Sequence, residues 1–203
     1  MPFYTDRILP RCVHLALGSR RFRQLREETV RGLSGTVLEV GFGSGLNLPY
    51  YSKEVSRLLA IEPARGAWHL ARRAISAAPF PVEHAGDTAE DIPLPRGAVD
   101  AVVSTWTLCT IPDPARALRE IRRVLKPEGT FHFLEHGHSP EPRVARWQDR
   151  LTPLQKLLAG GCHLNRPIDR LIEEAGFRCE AIDRFYGPGP KVVMYFYAGV
   201  AGR

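Results

Sequence analysis

Val37-Leu38-Glu39-Val40-Gly41-Phe42-Gly43-Ser44-Gly45-Leu46-Asn47 decides how the rest of the chain is read. Thr36 to Val40 has the apolar, β-branched character of a short buried strand, with Gly35 before it and a glycine cluster after it. Three glycines at alternate positions let the backbone turn tightly and approach a ligand with no side chain in the way. From about Ser44 the sequence is expected to re-enter a helix, running over 45–53, with Pro49 near its start where a missing N–H costs little. Strand, glycine turn and helix form the first unit of a nucleotide-binding α/β sheet.

The dinucleotide fingerprint is G-x-G-x-x-G, whose last glycine allows close helix–strand packing. Here Leu46 stands where that glycine belongs, and the pattern is G-x-G-x-G. Glu39, two places before Gly41, repels a pyrophosphate but suits a positively charged ligand end. E-x-G-x-G-x-G after an apolar strand resembles motif I of the class I S-adenosylmethionine (SAM)-dependent methyltransferases. SAM carries the matching cations, an ammonium and a sulfonium. The resemblance implies a Rossmann-like α/β fold. Its seven-stranded, mostly parallel sheet would have the order 3-2-1-4-5-7-6, the last strand antiparallel and helices on both faces.

The bulk numbers are compatible. A chain of 203 residues fits one domain. With 44% hydrophobic and 25% charged residues it has the composition of a soluble globular protein. No run of about 18 apolar residues is present and the N-terminus has no signal-peptide pattern, so a soluble cytoplasmic protein is expected. Cys12, Cys109, Cys162 and Cys179 form no C-x-x-C pair, which argues for a reducing compartment and against a structural zinc site; no metal is expected. A net charge of +6 permits an anionic partner or a membrane surface without demanding one, and nucleic acid is disfavoured.

Residues 1–34 mix arginines with apolar positions at helical spacing, broken near Gly18-Ser19. One or two amphipathic helices are expected, with the arginines in solvent. The alternatives are an interfacial helix on anionic lipid or a lid over the ligand. Arg57 to Ile61 is the second strand, followed by Glu62-Pro63. An acidic residue about 20 positions past the glycine turn suits the ribose hydroxyls. A helix over 64–78 and a strand over 81–85 lead to Gly86-Asp87-Thr88-Ala89. This resembles the family's adenine-binding turn with one residue too many, so Asp87 and Thr88 both stand as adenine contacts. Ala98 to Thr105 is a near-continuous apolar strand, and such sheets bind ligands at the strands' carboxyl ends. Ser104, Thr105, Trp106, Thr107, Leu108 and Cys109 are therefore expected to face SAM and the acceptor. Asp113-Pro114 starts a helix to about Leu125. A turn at 126–129, a strand over 130–134, a helix over 168–175 and two tail strands, 177–185 and 192–200, complete the sheet. The cofactor set implied by the resemblance is Glu39, Gly41, Phe42, Gly43, Gly45, Asn47, Glu62, Pro63, Asp87, Thr88, Ala89, Ser104 and Thr105.

Residues 135–168 look like an insertion covering the substrate, with a helix over 143–159. Three local features narrow the resemblance. Thr107-Leu108-Cys109, Phe133-Leu134-Glu135-His136 and Gly161-Cys162-His163-Leu164-Asn165-Arg166 are together similar to the alkyl-thiol S-methyltransferases within the ubiquinone/menaquinone-type group. His163 departs from that pattern, and the apolar N-terminal anchor of the animal members is missing. The resemblance implies a small-molecule acceptor, such as a thiol, with a phospholipid amine, a quinol or a metalloid as alternatives. Leu108, Cys109, Trp147, Cys162 and Asn165 would line the acceptor site. His136 or His163 would take the thiol proton, since imidazole titrates near neutrality.

Overall fold

A computed structural model describes residues 4–203. Seven strands form one sheet: β1 Gly35–Val40, β2 Val55–Ile61, β3 Val82–Gly86, β4 Val99–Thr105, β5 Leu125–His136, β6 Arg178–Tyr186 and β7 Tyr195–Gly202. Their order, β3-β2-β1-β4-β5-β7-β6, is the expected one. β7 runs antiparallel to both of its neighbours, and the pairs among β1 to β5 are parallel. The central strands are apolar on both faces because both faces are covered. Leu38 and Val40 of β1 enter one core with Val102, Ile121, Phe131 and Phe133. Val37 points the other way, into a second core with Leu58, Ala60 and Val103. The period-2 alternation of β1 therefore sends Glu39 to the Val37 side.

Six α-helices accompany the sheet: α1 Leu9–Leu17, α2 Arg20–Val30, α3 Arg65–Ala77, α4 Pro114–Val124, α5 Pro142–Leu158 and α6 Ile168–Glu174. The start of α4 shows why sequence and structure agree there. The Asp113 carboxylate accepts the Arg116 N–H at 2.9 Å, and Pro114 opens the helix. One face of α4 then buries Ala117, Leu118, Ile121 and Val124. Truncating Leu118 to Ala would cost about 2–5 kcal/mol.

Three local expectations are corrected. Residues 45–53 do not form a helix; only a single 3-10 turn, Leu48–Tyr50, is present. Gly45 sits at φ 72°, a left-handed backbone at the point where the helix was expected to begin, and Pro49 follows within one turn. Residues 126–129 are an irregular part of β5 rather than a free turn. The pairing register with β4 slips between Val99 and Ala101, so the extra residues bulge and the strand continues. The last strand also starts later than expected, at Tyr195, because residues 190–193 close a turn in which Val193 N–H donates to the Pro190 carbonyl.

The N-terminal segment closes over the strand ends. A short π-helical turn, Tyr4–Ile8, precedes α1. Gly66 N–H at the start of α3 donates to the Asp6 carboxylate. The Tyr4 hydroxyl donates to the Leu158 carbonyl at the end of α5, 2.6 Å away. Between them, His14 pairs with the Ser44 hydroxyl on the glycine turn at 2.7 Å. Residues 4–17 thus bridge α3, the glycine turn and α5.

Candidate active site

A cleft of about 430 Å³ lies under that bridge, at the carboxyl ends of β1 to β4. The glycine turn forms its floor, and its three glycines do different work. A Cβ on Gly41 would run into the Thr107 side chain, and one on Gly45 would press on Leu48, Ala71 and Phe42. Gly43, at φ 55°, has open space where a Cβ would be, its nearest neighbour being the Gly41 carbonyl oxygen 3.8 Å away. Gly41 and Gly45 keep the turn closed; Gly43 keeps the cleft open.

Gly41, Phe42 and Gly43 line the cleft, as do Glu62, Pro63, Asp87, Thr88, Ala89 and Thr105. Glu62 is held in place by two backbone donors: Gly43 N–H reaches Oε2 and Ala64 N–H reaches Oε1, both at 2.8 Å. Burial raises its pKa from the ordinary carboxylate value, and these two bonds oppose the rise. At the next turn Thr88 is committed locally. Its hydroxyl donates to Glu90 at 2.7 Å and accepts the Glu90 N–H. Asp87 keeps an exposed carboxylate, facing only His84 at 3.1 Å. The ambiguity between these two residues is thereby reduced, since Asp87 is the freer acceptor.

Glu39 is not on the cleft wall. It is 1% exposed beneath the glycine turn, where Asn47 Nδ2 donates to Oε1 and the Tyr51 hydroxyl to Oε2, each at 2.8 Å. Strand alternation put it there, and Asn47 and Tyr51 fold back over it. Desolvation raises its pKa to about 7. Asn47, fully buried, also donates to the Thr105 hydroxyl at 3.1 Å, and Gly45 and Ser104 likewise lie behind the surface.

The residue that completes this network is Arg26, on α2. It is 5% exposed, lines the cleft, and donates through Nη1 to Asn47 Oδ1 at 2.8 Å. Its guanidinium lies 4.6 Å from the centre of the Trp106 ring. Its Nε–H is buried without a partner. Burial lowers its pKa to about 10, with Glu39 the main opposing influence. The expectation of solvated N-terminal arginines fails here. The signal was present, because Phe22, Arg26 and Val30 are four residues apart and share the buried face of α2.

Glu135 was also missed as a structural centre. Fully buried at the end of β5, it accepts the Ser104 hydroxyl at 2.7 Å, Thr107 N–H at 3.0 Å and Cys109 N–H at 3.3 Å. It fixes the loop after β4, in which Trp106 has a left-handed φ of 53°. Such backbone strain in a non-glycine residue persists where surroundings over-determine it.

The residues expected to contact the acceptor are dispersed. Leu108, Cys109 and Cys162 are buried behind the cleft wall, and none of them lines it. Asn165 donates to Asp149 on the far side, and Trp147 is 53% exposed with Arg150 over its ring. His136 is stacked on Phe196, and the ring of His163 faces the Cys109 carbonyl at 3.2 Å. Neither histidine lines the cleft: His136 is the last residue of β5 and lies against Phe196, and His163 lies against the Cys109 carbonyl. Trp106 and Thr107, both expected to face the ligands, do line that end, together with Thr110, Ile111, Ala159 and Gly160, and Leu9, Val13 and Leu17 lie above.

Comparison with known proteins places these features in a family. The family described as methyltransferase domain matches residues 38–133. Thiol S-methyltransferase TMT1B of Rattus norvegicus is 30% identical over 165 residues, 77% of this chain and 65% of that protein. Thiol S-methyltransferase TMT1A of Homo sapiens is 34% identical over 148 residues, 70% and 59% of the two chains. The chain thus spans just under two thirds of the length of these relatives. A solved SAM-dependent methyltransferase from Thermotoga maritima superposes with a TM-score of 0.69 over 99% of this chain and 97% of its own; at 19% identity this shows the fold.

Proposed function

We propose that this chain, whose residues 38–133 match the methyltransferase domain family, is a SAM-dependent methyltransferase that methylates a small-molecule thiol in the cleft beneath residues 4–17. The observation that carries the donor half is the fit of the cleft. Glu62 is oriented for a ribose diol, Asp87 has an exposed carboxylate with one oxygen on His84 and the other open to an adenine amino group, and Arg26 brings an unpartnered buried N–H. Arg26 would take the donor's carboxylate, and the open space over Gly43 would admit its backbone-hugging part. When bound, SAM supplies a methyl group on a sulfonium. The glycine turn and Arg26 would hold the donor at that end of the cleft, within reach of an acceptor sulfur. Such positioning can supply about 7–11 kcal/mol at best.

Neither His136 nor His163 lines the cleft, and the reading we favour uses no imidazole base. A thiol does not need one. With a pKa near 8.5 it is already partly ionised at neutral pH, and its proton leaves to solvent. The apolar wall of Leu9, Val13, Leu17 and Ile111 then favours a thiol with an alkyl body over a highly charged acceptor. The four free cysteines support a reducing, cytoplasm-like compartment as its place of work.

One observation supports a second reading, a phospholipid amine as acceptor. Leu15, Leu154, Leu157 and Leu158 are exposed large hydrophobics on α1 and α5, Leu15 by 77% and Leu157 by 74%, and both helices carry arginines, Arg11 on α1 and Arg143, Arg146 and Arg150 on α5. S-adenosylhomocysteine release measured with alkyl thiols and with phosphatidylethanolamine vesicles separates the two. Turnover with thiols and none with vesicles is expected; the reverse result discards the thiol assignment and keeps the donor site.

A further inference from the structure

The three short motifs that narrowed the sequence resemblance each send one side chain to the same place. Cys109 comes from the loop after β4, His136 ends β5, and Cys162 follows α5. Their ligand atoms all lie within 4.8 Å of one another. Cys162 Sγ is 3.6 Å from Cys109 Sγ and 3.9 Å from His136 Nδ1. Both thiols are free. A disulfide would need about 2.05 Å between the sulfurs. Two thiolates on one tetrahedral ion, at about 2.3 Å each, stand about 3.8 Å apart. The spacing is that of two ligands around a shared centre.

The surroundings hold these three groups as a metal site's second layer does. Cys109 is fixed from both sides, its N–H on Glu135 and its carbonyl accepting the His163 N–H at 2.8 Å. The His136 ring lies on Phe196, with centroids 5.0 Å apart and planes at 27°. The Arg166 guanidinium donates to the neighbouring Leu108 carbonyl and places a positive charge beside the thiols. Leu164 and Leu151 shut off the other side. Cysteines scattered in sequence, which argued against a metal, are thus gathered by the ends of two parallel strands and one loop.

We propose that Cys109, Cys162 and His136 hold one thiophilic metal ion, zinc(II) or copper(I). Soft thiolate ligands select these two ions. Binding forms two metal–sulfur bonds and one metal–nitrogen bond, and the two thiol protons go to solvent. With zinc the ion and two thiolates sum to zero charge; with copper(I) they leave one negative charge, next to Arg166. Zinc takes four ligands, and among the described residues three are present, so it would add an exogenous one. The ion would tie the β4 exit loop to the segment after α5. Thr110 and Gly160, which line the cleft, lie within two residues of Cys109 and Cys162. This is a separate site from the methyl-transfer cleft and does not depend on the acceptor's identity.

The test loads the full chain, purified under reductant, with zinc(II) in one arm and copper(I) in the other. After desalting, metal is measured by mass spectrometry. One ion per chain is expected in at least one arm, lost in Cys109→Ser/Cys162→Ser and retained in Cys12→Ser/Cys179→Ser. Cobalt(II) in place of zinc should give a thiolate-to-metal charge-transfer band that His136→Gln shifts. Should the Cys109→Ser/Cys162→Ser variant fail to fold, X-ray absorption at the metal edge of the loaded, unaltered protein answers the same question: two sulfur neighbours at about 2.3 Å are expected, and a shell of oxygen and nitrogen alone overturns the proposal. No bound ion in either arm, or a content that follows Cys12 and Cys179, overturns the proposal.

Discussion

Arg26 shows how one side chain can be read wrongly from composition and rightly from spacing. Counted among many arginines it is a solvated charge; counted at four-residue intervals with Phe22 and Val30 it belongs to the interior. Replacing it with Gln should weaken S-adenosylhomocysteine binding about 10- to 100-fold by calorimetry, the usual worth of a charge-assisted hydrogen bond at about 1.5–3 kcal/mol. The glycines make a paired prediction. Gly41→Ala collides with Thr107 and should cost about 3 kcal/mol or more of folding stability. Gly43→Ala meets no neighbour and should cost about 1 kcal/mol of stability, while lowering ligand affinity by filling the cleft floor. Glu39 gives a pH dependence. Its folded pKa of about 7 lies above the ordinary 4.5, so the fold favours the protonated form. That stabilisation is complete below about pH 4.5 and disappears as pH rises through 7, about 3 kcal/mol in all. Denaturant midpoints of the wild type and Glu39→Gln should therefore diverge between pH 5 and pH 7.5, the variant gaining on the wild type as pH rises. Parallel midpoints across that window would contradict the assignment.

At the scale of elements, the sheet was readable because its signals are local and repeated. Apolar strands and the Asp113–Pro114 cap each fix one boundary regardless of the rest. The helix expected over 45–53 failed because a glycine turn that must stay open for a ligand takes left-handed backbone at Gly45, which propensity cannot foresee. The segment 4–17 was legible only as amphipathic. Its position over the cleft depends on single long-range bonds, such as Tyr4 to Leu158 and Asp6 to Gly66. No α1 side chain is buried, so this element is held by few contacts. Amide exchange in residues 4–17 should be fast without ligand and slow several-fold when S-adenosylhomocysteine is bound. Unchanged exchange would mean that the segment does not act as a lid. Tyr4→Phe, which removes one exposed bond, should speed ligand release a few-fold at most.

For the whole molecule, the donor half of the site was largely visible in the sequence and the acceptor half was not. Glycine turns and strand-end acids sit where the sheet topology must place them, so Gly43, Glu62 and Asp87 come to the cleft by construction. The acceptor end is built from loops, whose folding depends on what they cover. Cys109, His136 and Cys162 gathered around one another behind the wall, and Thr110, Ala159 and Gly160 took the wall itself. With no imidazole in the cleft, the pH–rate profile should follow the acceptor: kcat/KM for two alkyl thiols should rise up to each thiol's own pKa, with no inflection common to both near pH 6.5. The most direct measurement is transfer of a deuterated methyl group from labelled SAM to an alkyl thiol, with the product identified by mass spectrometry. The account predicts a methyl thioether carrying all three deuterons, formed by the wild type and much reduced in Arg26→Gln. Labelled S-adenosylmethionine left intact by every thiol, while phosphatidylethanolamine acquires the label, would contradict it.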